Sequence, residues 1–239
     1  MKKLEIGDIV SRSWDLAVKH WPIFLLISII VSIVGGFGMK IDPVTYLEAL
    51  NTKDVTAQLA LFSEAVQINY VAALIGFLLN IYLGYLLLNL YVNATRIGKP
   101  YETLSGALMV DFNQLAIFFC VKLCYAIIVT LASFVFILPG IWLAVRLWYA
   151  PVLAATQGTS FGESFKTSWE MTKGHFWELF LLGLTMVGIS ILGICACIVG
   201  VFFAEVITGF MLIVSFFILL PNAPEEESGI ENADYVEVQ

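Results

Sequence analysis

Four ionisable side chains stand within long apolar runs of this sequence: Lys122, Arg146, Glu178 and Glu205. A charge at the centre of a membrane helix costs about 2.5–3.5 kcal/mol, so such residues pair, face a cavity or reach for the interface. Arg146 follows Pro139-Gly140 by about five residues, which is roughly 7–8 Å at 1.5 Å per residue. Glu205 follows Gly200 by about the same distance. If both glycine positions mark outer turns the depths match, and an Arg146–Glu205 pair is the expected arrangement. A hydrated or lipid-headgroup site around Arg146 is the other chemistry open to it. Lys122 can carry its ammonium along its stem toward the surface or face the bundle. Glu178 is expected near the inner surface, in water. Catalysis needs acid, base or nucleophile groups that converge. These four are spread along the chain, so no catalytic residue is expected.

Tyr82, Tyr85, Asn89 and Asn93 recur at helical spacing and form one polar face. Such faces more often join helices by hydrogen bonds than line a pathway. Small residues also recur every fourth position, at Ser28, Ser32 and Gly36 and at Ala196, Gly200, Ala204 and Thr208. Small-xxx-small faces let helix backbones approach closely, within one chain or between copies. Cys120 and Cys124 are one helical turn apart, and Cys195 and Cys197 lie near a turn. Free buried thiols are the default for such cysteines, and Cys-x-Cys is a poor disulfide closure. His20 and His175 have no clustered Cys or carboxylate to give a zinc-like ligand spacing. No nucleotide loop or haem motif occurs, so neither metal nor cofactor is expected.

Helices must position these residues. The chain is 60% hydrophobic and only 13% charged, against about 25% charged for soluble domains. That excludes a soluble enzyme, a disordered scaffold and a nucleic-acid partner. A bilayer core of about 30 Å takes roughly 20 apolar residues per crossing, and the long runs allow about six. They are Trp21–Met39, Val71–Asn93, Gln114–Leu138, Ile141–Thr156 with Pro151 inside it, and two from a continuous stretch over 176–220. That stretch is expected to reverse between Gly193 and Gly200, because glycine reaches positive φ without steric cost. Pro221 ends the last helix.

With the N-terminus inside, Lys2, Lys3, Arg12, Lys19, Arg96, Lys99, Lys166 and Lys173 fall on inner segments, and only Lys40 and Lys53 on outer ones. The excess of basic residues belongs on the cytoplasmic side. The expectation is a multi-pass protein of the bacterial cytoplasmic membrane with both termini cytoplasmic. The first span is expected to stay as an anchor, since its apolar run is too long for a cleaved signal. Residues 1–221 read as the membrane domain. Residues 222–239 carry Glu225, Glu226, Glu227, Glu231, Asp234 and Glu237 without a Lys or Arg. They read as a disordered acidic cytoplasmic tail, repelled by an anionic inner leaflet.

A repeat lies within the chain. At an offset of 155, Ile6–Leu25 aligns with Phe161–Phe180: Gly7 meets Gly162, Ser13 meets Ser168, Trp14 meets Trp169 and His20 meets His175. Both segments have an apolar stripe at helical spacing, Ile6, Val10, Trp14 and Trp21 in one and Phe161, Phe165, Trp169 and Phe176 in the other. Ser160 and Glu163 form a capping box ahead of the second. Helices of this kind lie in the membrane interface, which makes Trp14 and Trp169 its candidate anchors. A fainter third copy runs from Tyr101 to Asn113. The expected architecture is all-α: a polytopic bundle of six spans, in three units of interfacial amphipathic helix plus transmembrane hairpin.

The stretch Ile137-Leu-Pro-Gly-Ile-Trp-Leu-Ala-Val-Arg146, then Ala150-Pro151, then Ser168-Trp169-Glu170 with Lys173-Gly174, resembles an uncharacterised bacterial multi-pass family. Some of its members are described as the membrane domain of glycerophosphoryl diester phosphodiesterases. The resemblance is best over 134–182. It implies a membrane part that stands beside a separate catalytic domain where one exists. This sequence leaves no room for that domain and lacks the His and carboxylate cluster of such a hydrolase. The resemblance therefore implies a membrane protein and not phosphodiesterase activity.

The function expected is a non-catalytic integral membrane scaffold or accessory protein that organises lipids. The alternative is a small-solute or lipid transporter with a site near Arg146. Three two-span units resemble the layout of mitochondrial carriers, but the Pro-x-acid-x-x-base signature of those proteins is absent. Membrane lipids are the expected partners, with a protein partner or a second copy as further candidates.

Overall fold

A computed structural model describes residues 4–97 and 112–220. The third repeat copy falls almost wholly outside the described residues, and the acidic tail lies outside them. The protein is all-α, a polytopic helix bundle. Six segments are long and apolar enough to cross a membrane: Ile6–Gly35, Tyr70–Arg96, Phe112–Phe134, Ile137–Thr156, Phe176–Cys195 and Gly200–Leu219. This is the architecture of a multi-pass integral membrane protein. The helices are α1 (Ile6–Gly35), α2 (Pro43–Asn51), α3 (Val55–Ala65), α4 (Tyr70–Ile97) and α5 (Phe112–Val135), followed by α6 (Ile137–Arg146), α7 (Ala150–Thr156), α8 (Phe161–Met171), α9 (Phe176–Cys195) and α10 (Cys197–Leu219). Residues Ile29–Gly84 form one compact unit, and the rest of the described chain forms the other.

In the smaller unit, two short strands, β1 (Met39–Ile41) and β2 (Val66–Ile68), pair antiparallel and close off α2 and α3. Each helix starts on an aspartate cap. Asp42 accepts the N–H groups of Val44 and Thr45, and Asp54 accepts that of Thr56. Pro43 follows Asp42 in the first turn, where its missing N–H costs nothing. The ends of α1 and α4 approach closely here. Gly38 has φ +90°, and a Cβ on it would strike the backbone of Ala73. A Cβ on Gly76 would lie 2.9 Å from Val34 O. Gly35, Gly38 and Gly76 thus carry the close approach, while Ser32 and Gly36, two members of the expected small stripe, are exposed.

The larger unit holds the core. Phe24 stacks on Tyr91 at 4.4 Å, and both rings meet Phe210 edge-on. Tyr149 Oη donates to Ser215 Oγ at 2.9 Å. α9 and α10 reverse at Ala196, inside the expected window, but not by a glycine at positive φ, since among the described residues those are Gly38, Gly158 and Gly174. Gly193 and Gly200 serve instead by lacking a Cβ, since one on Gly193 would lie 2.7 Å from Gly200 O. Pro139-Gly140 is not a turn either. α5 gives way to α6 at Phe136. Proline is tolerated in a first helical turn, and Gly140 packs directly against Ser133.

The two repeat segments bury the same phase. Ile9 and Ser164, Ser13 and Ser168, and Ala17 and Thr172 are buried at matching positions, while Trp14 and Trp169 are 50% and 38% exposed. The backbones differ. α1 is unbroken through Pro22, so its amphipathic part is no separate helix. In the second copy Gly174, at φ +94°, separates α8 from α9. Lys19 stands at the matching position, and a residue with a Cβ disfavours that left-handed conformation.

Candidate functional site

α6 stops at Arg146 because the chain ahead cannot continue the ladder. Pro151 has no N–H, and Ala150 N turns back to Leu147 O at 3.1 Å. The Arg146 carbonyl is left without a helical donor. Two hydroxyls from the end of α8 supply it: Ser168 Oγ and Thr172 Oγ1 each lie 3.1 Å from Arg146 O. The end of the Ile137–Arg146 stretch and the Ser168–Thr172 segment thus meet in space. α8 presents Ser168 and Thr172 inward because they fall one turn apart on its buried face. Its capping box is formed, with Ser160 N donating to Glu163 Oε2 at 3.4 Å.

The same contact fixes the Arg146 side chain. Its guanidinium carbon lies 5.4 Å from the ring of Trp142, one turn back on α6, and 5.4 Å from the ring of Trp169 on α8. The two indoles stand edge to face at 5.1 Å. Each such contact contributes about 0.5–1 kcal/mol when exposed, and more when dry. Nε and Nη1 of Arg146 are buried and donate to nothing.

The expected Arg146–Glu205 pair is not formed. Glu205 is on α10, where its carboxylate faces the Ser28 hydroxyl and lies near Tyr91. The depth argument failed because it measured Arg146 from Pro139-Gly140, which is helix and not turn. α1 adds further buried polar atoms, since Ser13 Oγ, His20 Nε2 and Ser28 Oγ are enclosed without an aligned partner. Tyr91 Oη is in the same state, with its ring packed on Gly209. His20 is therefore a mid-helix buried residue, whereas His175 sits at the start of α9 with Nδ1 2.7 Å from Glu178 Oε2.

Of the polar face of α4, Tyr85 reaches another helix. Tyr85 Oη donates to Gln114 Oε1 at 3.2 Å. Asn89 turns inward on its own helix, donating to Tyr85 O at 3.0 Å. Tyr82 is half-buried. Lys122 is exposed, with its ammonium 5.7 Å from the Phe118 ring. None of these residues lies against Arg146.

A groove of about 580 Å³ opens between α5, α6, α9 and α10. Its walls are mostly apolar and include Tyr125, Val145, Trp148, Gly183 and Val187. Sequence reasoning missed both the groove and the tryptophan box. The signal for the box was present, in Trp142 four residues before Arg146. Cys120, Cys124 and Cys195 are free thiols. Among the described residues no three His, Cys, Asp or Glu gather as metal ligands. No family model, curated protein or solved structure matches the chain.

Proposed function

We propose that this protein is a non-catalytic scaffold of the bacterial cytoplasmic membrane that organises lipid around its helices, with both termini in the cytoplasm. One observation carries the reading. Several polar groups are spent on joining one helix to another: Tyr85 on Gln114, Tyr149 on Ser215, and Ser168 and Thr172 on the Arg146 carbonyl. They do not converge on a polar cavity, and the groove described is lined mainly by hydrocarbon side chains suited to an acyl chain. The orientation rests on the distribution of Lys and Arg. The resemblance over 134–182 belongs to the same proposal, as a relative of the membrane part and not of the hydrolase.

Transport is the second reading, favoured by the two Arg146 donors, Nε and Nη1, that find no acceptor among the described residues. Proteoliposomes decide between them. A scaffold leaves an entrapped anionic dye and a labelled lipid where they were loaded, at the rate of empty vesicles. Protein-dependent flux of either one, abolished by Arg146→Gln, would establish transport in its place.

A further inference from the structure

Among the described residues nothing accepts from Nε or Nη1 of Arg146. A guanidinium taken from water needs counter-charge and acceptors, and leaving it without them is costly. Among the described residues no carboxylate reaches it; Glu205, the expected partner, faces Ser28 instead. The guanidinium carbon lies 5.4 Å from the centroid of each indole, and because the two rings stand edge to face its plane is parallel to at most one of them. Nε and Nη1 remain without acceptors. A guanidinium with donors left free matches the oxyanion of a phosphate, to which it gives short charge-assisted hydrogen bonds. Both indoles are 38% exposed and reach the protein surface, while Nε and Nη1 lie enclosed behind them. The apolar groove begins one residue away, at Val145.

We propose that Arg146, flanked by Trp142 and Trp169, binds a phosphate group, and that an anionic phospholipid supplies it. The choice of lipid over free phosphate rests on the lipid-organising reading above, while the phosphate chemistry stands on the box alone.

The test uses the full chain in neutral detergent. Phosphatidylglycerol and phosphatidylcholine are added in turn, and bound lipid is counted by native mass spectrometry. Inorganic phosphate is titrated as a competitor. The wild type should retain phosphatidylglycerol over phosphatidylcholine. Arg146→Gln should weaken that binding about tenfold or more, and Lys166→Gln on the exposed side of α8 should leave it within twofold. Arg146→Lys, which keeps the charge and loses the planar guanidinium, should fall between and serves if the glutamine variant does not fold. Binding of inorganic phosphate that depends on Arg146, without lipid retention, keeps the phosphate site and makes its source soluble. Lipid and phosphate binding unchanged in both Arg146 variants overturns the site. Flux in proteoliposomes with Arg146-dependent lipid binding intact would instead remove the scaffold reading and leave this site standing.

Discussion

At Arg146 a single residue serves two structures. Its carbonyl ends α6, and its side chain ties α6 to α8. The hydroxyls on that carbonyl are partly redundant, because Thr172 also lies 2.9 Å from Ser168 O and can turn to either acceptor. Ser168→Ala alone should therefore cost less than about 1 kcal/mol, since Thr172 takes over. Ser168→Ala with Thr172→Val should cost about 1–3 kcal/mol, the penalty for a buried acceptor left unmade. Thermal unfolding in detergent checks both, and equal losses in the single and double variants would contradict the redundancy. Because Arg146 and Glu205 do not touch, Arg146→Leu and Glu205→Leu should add within about 0.5 kcal/mol. Coupling well beyond that would restore the pair. Trp169 and Arg146 were each legible as unusual residues, from type and surroundings. Their meeting was not, because it depends on how α8 folds back, and no local spacing encodes that.

Helices as elements were the most legible part of the chain. Long apolar runs fix spans by length alone, and Pro151 marks the break between α6 and α7. The segment between the first two spans escaped notice, although Asp42-Pro43 and Asp54 are helix starts by type. Their carboxylates accept hydrogen bonds first from the hydroxyls of Thr45 and Thr56, then from backbone N–H groups, and are held below the ordinary range. A lowered folded value means that the stabilisation is present above the unfolded value, about 3.9. It is lost as pH falls through the folded one. Hydrogen exchange over 43–65, corrected for intrinsic rate, should show protection falling below about pH 4. Asp42→Asn with Asp54→Asn keeps the caps and should flatten that dependence. Glycines divide by the same physics. Gly38→Ala forces both a left-handed alanine and a backbone clash, and should cost at least about 1–3 kcal/mol. Gly188→Ala, in open space on α9, should stabilise by about 0.5–1 kcal/mol. Matching melting points for the two variants would refute the distinction.

For the whole molecule the orientation prediction is direct. A reporter fused after residue 239 or before residue 1 should report cytoplasm, and one inserted near Lys53 should report the outer side. Activity of the C-terminal fusion only outside would invert the topology. The acceptor at Arg146 also puts a clock into biogenesis. Its donors are encoded 22 and 26 residues downstream. At about 5–20 residues per second, the ribosome takes roughly one to five seconds to deliver them. Until then the fourth span carries an uncapped backbone end and a bare cation. It is therefore expected to wait beside the insertion machinery rather than leave for lipid. Chains stalled after the fourth span has left the ribosome but before Ser168 and Thr172 have emerged should crosslink there, and chains stalled after both have emerged should be released. α8 then serves as the last step of an insertion that began two dozen residues earlier.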